Sequence, residues 1–207
     1  MKADRFAPLA AAVGLLALVI WGLQPEDRWT VLAASGPGAT VAHLPAAPGL
    51  AFRGGVVAAG ERGAMDLQLG DRLRIRLHPG SRADLPRGPG RWFGGVRRLA
   101  VHGGEMFGTT RPGPLGFDLT LVTPEAQARV LGTTFGVTRN ALGPCFCLLD
   151  GELEITTRGR DTVDVPRQKR AQVYADGRAP QVVELTEAER ANLRTVRDAG
   201  LAAPRAR

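Results

Sequence analysis

The chain has 207 residues, which is enough for one ordinary domain with an appendage and too few for two full cores. Its 27 glycines and 15 prolines favour short strands and many turns over long helices. The net charge of +7 admits anionic partners, but only 5% of the residues are aromatic and the sequence lacks helix-turn-helix, zinc-finger and aromatic RNA-binding patterns. We therefore expect no nucleic acid partner.

An uncharged apolar segment runs from Phe6 to Leu23. As a helix it would be roughly 27 Å long, close to the thickness of the hydrocarbon core of a bilayer. Lys2 and Arg5 precede it, and the positive side of a spanning helix stays in the cytoplasm. We predict a cytoplasmic stub of residues 1–5, a single transmembrane helix of residues 6–23 in the bilayer of a bacterial inner membrane, and a periplasmic remainder. The alternative is a cleaved signal peptide, but the apolar segment is longer than usual for one.

The rest of the chain divides into three parts. Residues 24–55 are rich in Ala, Gly and Pro, so we expect a stalk or linker that holds at most a first strand. In residues 56–184, short β-rich runs recur between turn signals, which predicts an all-β domain built as an antiparallel or solenoid-like sandwich or roll. In residues 185–207 we predict a short C-terminal helix and a basic tail, because Thr186 and Glu189 have the spacing of a capping box.

Two hairpins are predicted inside the β domain. In the first, Leu67 and Leu69 face Leu73, Ile75 and Leu77 across a turn at Gly70-Asp71. In the second, residues 147–149 face residues 153–155 across a turn at Asp150-Gly151, since this dipeptide suits the positive φ angles of a tight turn.

Arg72, Arg74 and Arg76 alternate with the apolar residues of the first hairpin. The strand period of two spaces their guanidinium groups about 7 Å apart on one face, which makes them candidates to hold the phosphates or carboxylates of an anionic envelope polymer. The alternative is a solvated strand face whose charges deter pairing with other sheet edges.

Residues suited to catalysis or metal binding are few. His43, His78 and His102 lie in no recognisable nucleophile and base arrangement, so we expect no catalytic residues, no cofactor and no enzymatic activity. Cys145 and Cys147 supply two thiolates where a structural zinc site usually needs four ligands. We predict no metal site and packed or free thiols, with a strained disulfide as the alternative.

Five ordered segments between about residues 56 and 176 resemble the FecR domain family. Their sequences are Pro79-Gly80-Ser81, Gly104-Glu105-Met106-Phe107, Leu121-Val122-Thr123-Pro124, Leu131-Gly132-Thr133-Thr134-Phe135-Gly136-Val137 and Leu149-Asp150-Gly151-Glu152-Leu153-Glu154-Ile155. The most specific feature is the Leu-Gly-Thr-x-Phe-x-Val pattern. We expect its Leu131, Phe135 and Val137 to share one buried side and Gly132 to permit a bulge. The residues that carry the family pattern structurally are Gly132, Thr133, Phe135, Val137, Asp150 and Gly151.

The resemblance implies a single-pass regulator in iron-uptake signalling, whose periplasmic part senses a receptor and whose cytoplasmic part acts on a sigma factor. A stub of about five residues is too short to fold or hold a sigma factor. We therefore predict a non-catalytic sensor or interaction module in envelope or iron-uptake-type signal transduction, which acts through a protein partner in the periplasm or inner membrane. The alternative is a protein that binds peptidoglycan or polysaccharide through a basic β face.

The membrane topology can be tested directly. A reporter enzyme that is active only in the periplasm, fused after Arg207, should be active because positive charge precedes the apolar segment. The chain should also remain with the membrane fraction through a carbonate wash. Recovery of a soluble species that lacks its first residues would show cleavage instead of anchoring.

Overall fold

A computed structural model of the protein describes residues 14–19, 27–89, 96–111 and 118–201. Residues 14–19 are helical with exposed side chains, and the rest of the predicted transmembrane segment lies outside the described residues, as do the stub of residues 1–5 and residues 202–207 of the basic tail. In the described part of the chain, no helix is long and apolar enough to cross a membrane.

Strands dominate the described residues, and a helix follows the last of them. The strands are β1 (Trp29–Ala34), β2 (Thr40–Val41), β3 (Leu44–Pro45), β4 (Ala51–Phe52), β5 (Gly55–Ala58), β6 (Met65–Leu69), β7 (Leu73–Leu77), β8 (Arg82–Leu85), β9 (Arg97–Thr110), β10 (Leu119–Val122), β11 (Ala126–Asn140), β12 (Gly143–Thr157), β13 (Thr162–Val165), β14 (Lys169–Gln172) and β15 (Gln181–Glu184), and the C-terminal helix is α1 (Glu187–Ala199).

All fifteen of these strands belong to one mixed sheet, whose main order is β15-β14-β12-β11-β10-β9-β7-β6-β1-β4. The pairing of β9 with β10 is parallel, and the other pairings among the described residues are antiparallel. One apolar cluster takes buried side chains from the strands between β14 and β1 in this order, and Phe52 of β4 packs against it, so these strands share a single main core. The predicted all-β class is confirmed, together with the C-terminal helix.

Residues predicted to be a stalk form part of this sheet. Within residues 24–55, the strand β1 pairs with β6 and β4, and its Trp29 and Val31 are fully buried. The Trp29 indole N–H donates a 2.7 Å hydrogen bond to the Pro86 carbonyl, and its ring stacks on Phe52. The β domain therefore begins near residue 27 and not at residue 56. Its first strands are two to six residues long, which is too short for their alternation to stand out from a Gly- and Pro-rich background.

The first predicted hairpin is confirmed. Leu67 pairs with Ile75 and Leu69 pairs with Leu73 across the β6–β7 turn, and all four side chains are fully buried. Gly70 in the turn has a φ of +51°, a conformation that glycine adopts without strain.

The second predicted hairpin is wrong. Asp150 and Gly151 lie inside the single strand β12, and the turn that connects β11 to β12 is at residues 141–142. Gly151 has a φ of +94°, so the dipeptide does use a positive φ angle, but inside a bulged strand. Because type I′ turns and G1 bulges both use a positive φ angle, the local sequence does not distinguish them.

A double bulge interrupts the β11–β12 pairing. In β11, Gly132 (φ +58°) and Thr133 lie between the pairs Leu131 with Glu152 and Thr134 with Asp150, and the register shifts again before Phe135. The Thr133 N–H donates a 2.9 Å hydrogen bond to the Thr110 hydroxyl, which holds the bulged backbone. The bulge expected at Gly132 is therefore confirmed.

The double bulge changes which side chains face the core. In β11, the even-numbered Ala128 and Val130 are buried before the bulge, and the odd-numbered Phe135 and Val137 are buried after it. The expectation that Leu131 shares the buried side with Phe135 and Val137 is wrong, since Leu131 is 38% exposed. One extra residue in a strand moves every following side chain to the opposite face.

In the pairing of β11 with β9, two phenylalanines each lie opposite a glycine of the other strand. Phe135 pairs with Gly108, and Gly136 pairs with Phe107. A Cβ atom added to Gly108 would lie 2.7 Å from the Phe135 ring, and one added to Gly136 would lie 2.6 Å from the Phe107 ring. Phe135 fills the main core, whereas Phe107 belongs to a second apolar cluster on the opposite face of the sheet.

We expect Gly151→Ala to destabilise the protein at the double bulge. A Cβ atom there would lie 2.5 Å from the Thr133 Cγ2 atom and 2.6 Å from the Gly132 carbonyl oxygen. Gly177 is a matched control, because its φ is also positive (+81°) but a Cβ atom on it would meet nothing within 4 Å. Gly177→Ala should lower the free energy of unfolding by about 1–2 kcal/mol because of the left-handed backbone alone. Gly151→Ala should lower it by about 1–3 kcal/mol more because of the clash. Denaturant unfolding measures both, and equal midpoints would contradict the assigned bulge.

Candidate functional site

The helix α1 covers the face of the sheet that points away from the main core. It packs across β7, β9, β11 and β12. The predicted capping box is confirmed: the Thr186 hydroxyl accepts from the Glu189 N–H, and the Glu189 carboxylate accepts from the Thr186 N–H at 2.7 Å. A second apolar cluster lies between helix and sheet, and its members are Phe107, Cys145, Cys147, Leu149, Leu185, Leu193 and Val196.

The three arginines of the predicted anionic-ligand face lie together but bind groups of their own chain. Arg72 Nε donates to Asp27 at 2.9 Å. Arg76 donates through Nε and Nη2 to the two oxygens of Asp66, both at 2.7 Å, and this hydrogen bonding raises the pKa of Arg76. Arg74 lies 3.6 Å from the same buried carboxylate.

Arg74 also holds the C-terminal end of α1. Its Nη1 donates to the carbonyl oxygens of Ala199 at 2.9 Å and Gly200 at 3.0 Å. A cation is favourable at this end of a helix because the last carbonyls have no partners inside the helix. These contacts give the arginine row a structural role without an external ligand, and an anionic ligand for Arg72, Arg74 and Arg76 stays a prediction.

Residues of the FecR-like pattern lie around the double bulge. Gly132 and Gly151 form the bulge itself, Thr133 is buried against Thr110, and Asp150 lies at the surface. The Asp150 carboxylate is 3.5 Å from Arg197 Nη1 of α1, which gives the bulge a direct contact with the helix.

Beneath the start of α1, two thiols and a carboxylate converge. Cys145 and Cys147 are free and buried, and both point from β12 toward the helix. Their Sγ atoms and a carboxylate oxygen of Glu189 all lie within 4.8 Å of one another. We refer to Cys145, Cys147 and Glu189 as the thiol–carboxylate cluster. The prediction of free, packed thiols is confirmed, but the sequence analysis assigned Glu189 to the capping box alone and missed its position beside the thiols.

Hydrogen bonding and burial make the two thiols unequal. The hydrogen bond from Cys147 lowers the pKa of Cys145 by stabilising its thiolate, and the nearby Arg170 adds to this effect. The same hydrogen bond, together with burial, raises the pKa of Cys147 well above its usual value. The first proton of the pair is therefore lost more easily than that of an ordinary thiol, and the second is lost with more difficulty.

Arg170 of β14 places the carboxylate of the cluster. Its Nη1 donates to Glu189 Oε1 at 2.8 Å. Burial alone would raise the pKa of Glu189, but its hydrogen bonds with Thr186 and the charge of Arg170 lower it overall, so the carboxylate is ionised at neutral pH. Arg170 thus links the strand next to the sheet edge with the first turn of α1.

The strand β15 forms one end of the sheet order and pairs only with β14 among the described residues. All four of its residues are exposed, and Val182 and Val183 each keep 40% of their surface accessible. Glu184 at its end is paired with Lys169. An edge strand with accessible apolar side chains can accept an additional strand, because one row of its backbone N–H and C=O groups has no partner in the sheet.

The described residues near the histidines offer no nucleophile and base pair. His78 Nδ1 lies 3.4 Å from the Glu105 carboxylate, and its ring lies against Phe107. Burial lowers the pKa of His78. This arrangement supplies packing beside the second apolar cluster, and the expectation that the chain is not an enzyme stays a prediction.

Comparisons with known proteins show the fold. No family model matches the sequence, and neither does any curated protein. Two crystal structures of a candidate anti-sigma factor from Parabacteroides distasonis are similar to this chain, each with a TM-score of 0.53 and 16% sequence identity. The similarity covers 62% of this chain and 59% of that chain. At this identity the likeness establishes a shared fold for the aligned part.

The contact between Arg74 and the C-terminus of α1 should stabilise the protein measurably. Arg74→Ala removes two hydrogen bonds to helix carbonyls and the ion pair with Asp66, so we expect the free energy of unfolding to fall by about 1–3 kcal/mol. Arg98→Ala, at an exposed position of β9, is the control, and its free energy of unfolding should stay within about half a kcal/mol of the wild-type value. Denaturant unfolding gives the free energies, and hydrogen exchange of the α1 amides should be faster in the Arg74 variant alone. Equal behaviour of both variants would contradict the anchoring role of Arg74.

Proposed function

We propose that this chain is a membrane-anchored, periplasmic FecR-type module that acts in signal transduction by binding a partner protein and performs no catalysis itself. The observation that carries the proposal is the open β15 edge, which lies directly before the helix that covers the thiols. The shared fold with a candidate anti-sigma factor supports a regulatory role, and so does the FecR-like pattern around the double bulge.

In this proposal, an extended segment of a periplasmic or inner-membrane protein adds a strand beside β15. The backbone edge supplies main-chain hydrogen bonds. Val182 and Val183 supply apolar contacts, one on each face of the sheet. Native proteins usually protect such edges with charges, prolines or a covering element. The four residues of β15 include one charged side chain, Glu184, which is already paired with Lys169.

The neighbouring strand connects this edge to the helix. Val183 pairs with Arg170, and the Arg170 guanidinium holds Glu189 in the first turn of α1. A strand added at β15 would therefore lie next to Val183, whose paired residue Arg170 contacts the helix directly. We propose that partner binding at β15 changes the position of the C-terminal helix through the contact between Arg170 and Glu189.

A charge placed on the edge should abolish signalling while the fold remains. We expect Val183→Lys to leave the thermal melting temperature nearly unchanged, since the side chain is 40% exposed, but to disfavour an apolar strand beside β15. Leu142→Lys is the matched control, because Leu142 is also apolar and exposed but lies in the β11–β12 turn. In a strain that lacks the gene, transcript profiles should be restored by the wild-type and Leu142→Lys chains and not by Val183→Lys.

A photo-crosslinking amino acid at position 183 should, in the same strain, capture one defined envelope protein, whose own deletion reproduces the transcript profile. The same amino acid at position 142 should not capture it. Full activity of the Val183→Lys chain would overturn the role of the β15 edge.

Polymer binding through basic side chains is the competing function: it predicts cosedimentation with peptidoglycan that weakens steeply with ionic strength.

A further inference from the structure

We propose that the thiol–carboxylate cluster is a binding site for a divalent, thiophilic cation of the zinc class, with Cys145, Cys147 and Glu189 as its protein ligands. The three ligand atoms lie within 4.8 Å of one another and come from two elements, the strand β12 and the helix α1. Around a tetrahedral zinc ion with Zn–S distances of about 2.3 Å, neighbouring sulfurs lie roughly 3.8 Å apart. The upper bound of 4.8 Å on the ligand-atom distances is compatible with this spacing.

The charges of the surroundings suit a divalent ion. Two thiolates and the Glu189 carboxylate carry three negative charges, and the Arg170 guanidinium, 2.8 Å from Glu189, supplies one positive charge. A divalent cation brings the buried group to neutrality, which matters because an unbalanced charge is costly in an apolar cluster. Binding releases the thiol protons to solvent, and each sulfur forms one bond to the metal in place of its S–H bond.

The ligand types select the kind of ion. Thiolate sulfur favours zinc and related soft or borderline ions over magnesium and calcium, which prefer oxygen ligands. The second carboxylate oxygen of Glu189 is fixed by the Thr186 N–H at 2.7 Å, and Arg170 holds the first. Such outer contacts orient a ligating group and are typical of metal sites. Three protein ligands leave a fourth position for a water molecule or another small ligand.

A disulfide fits this geometry less well than a metal ion. Alternate residues of an extended strand have Cα atoms about 6.6–6.8 Å apart, at the upper limit for a disulfide bond. A metal ion bound by both sulfurs needs them roughly 3.8 Å apart, whereas a disulfide needs them about 2.0 Å apart, so the ion suits alternate strand residues better. Since Glu189 lies on the helix and the thiols lie on the sheet, the ion would join α1 to β12, and its binding would favour the docked helix.

The variant Glu189→Gln isolates the third ligand. Glutamine preserves the size of the side chain and can still complete a capping box, but it removes the negative charge. Glu125→Gln is the matched control, because Glu125 is equally buried, with 13% of its side chain exposed, and is likewise paired with an arginine at 2.8 Å, but it lies outside the cluster. Cys145→Ser and Cys147→Ser remove the thiolates one at a time.

The experiment is a titration of the full chain in detergent micelles with cobalt(II), followed by displacement with zinc(II), in the presence of a non-thiol reductant. We expect one ion per chain, a thiolate-to-cobalt charge-transfer band, visible absorption typical of tetrahedral cobalt that zinc abolishes, and a higher melting temperature with zinc. Glu125→Gln should behave like the wild type. Glu189→Gln should bind at least tenfold more weakly, and each serine variant should lose most of the charge-transfer band. Circular dichroism of each metal-free variant reports whether it is folded.

Three results would overturn the proposal. The first is a wild-type chain that gives no charge-transfer band. The second is equal cobalt affinity in folded Glu189→Gln and Glu125→Gln, which would remove Glu189 from the ligand set. The third is a mass loss of two hydrogens on mild oxidation at the same rate with and without zinc, which would show that the thiols pair with each other and not with the metal. These measurements need no partner protein, so their outcome is separate from that of the signalling proposal.

Discussion

The double bulge between β11 and β12 is the constraint on which the rest of the structure depends. It turns both strands over, so that in β12 Phe146 and Leu148 face the main core while Cys145, Cys147 and Leu149 face α1. Beyond the bulge, Leu153 and Ile155 return to the main core. Without the extra residues, the alternation of β12 would carry through unchanged, and one half of the strand would turn apolar side chains away from the core.

The turned-over strands create a second surface that must be covered. Cys145, Cys147 and Leu149, together with Phe107 of β9, form an apolar patch on the outer face of the sheet, and α1 buries it with Leu193 and Val196. Helix amphipathicity alone does not fix where the helix lies on the patch. One ion pair and two hydrogen bonds fix its position: Arg170 pairs with Glu189 at the N-terminal end, and Arg74 donates to backbone carbonyls at the C-terminal end. The Arg74 contact also satisfies backbone carbonyls that a helix end leaves unpaired.

This arrangement places the two proposed binding sites close together. The open edge of β15, the arginine of β14 and the thiol–carboxylate cluster form a continuous row from the surface to the buried thiols. A protein that binds at the edge and an ion that binds at the cluster would both act on the position of α1. In the two proposals made above, the partner protein and the ion therefore affect the same helix.

Features that depend on near neighbours could be predicted from the sequence. The hairpin at Gly70-Asp71, the bulge at Gly132 and the capping box of Thr186 and Glu189 depend on one residue's φ preference or on a fixed short spacing, and the structure contains all three. The apolar alternation around Leu73 and Ile75 likewise identified the buried face of its strand.

Only the tertiary structure decided the features that join distant segments. Gly151 forms a bulge and not a turn because β11 places its own bulge opposite, and Leu131 is exposed for the same reason. Trp29 belongs to the core because β6 and β4 pair with its short strand. Arg74 reaches a helix end, and Glu189 reaches two thiols, across long stretches of sequence that carry no motif for either contact. A local pattern specifies which conformations a residue can adopt, whereas the partner of a strand edge, a charge or a thiol is selected by packing of the whole sheet.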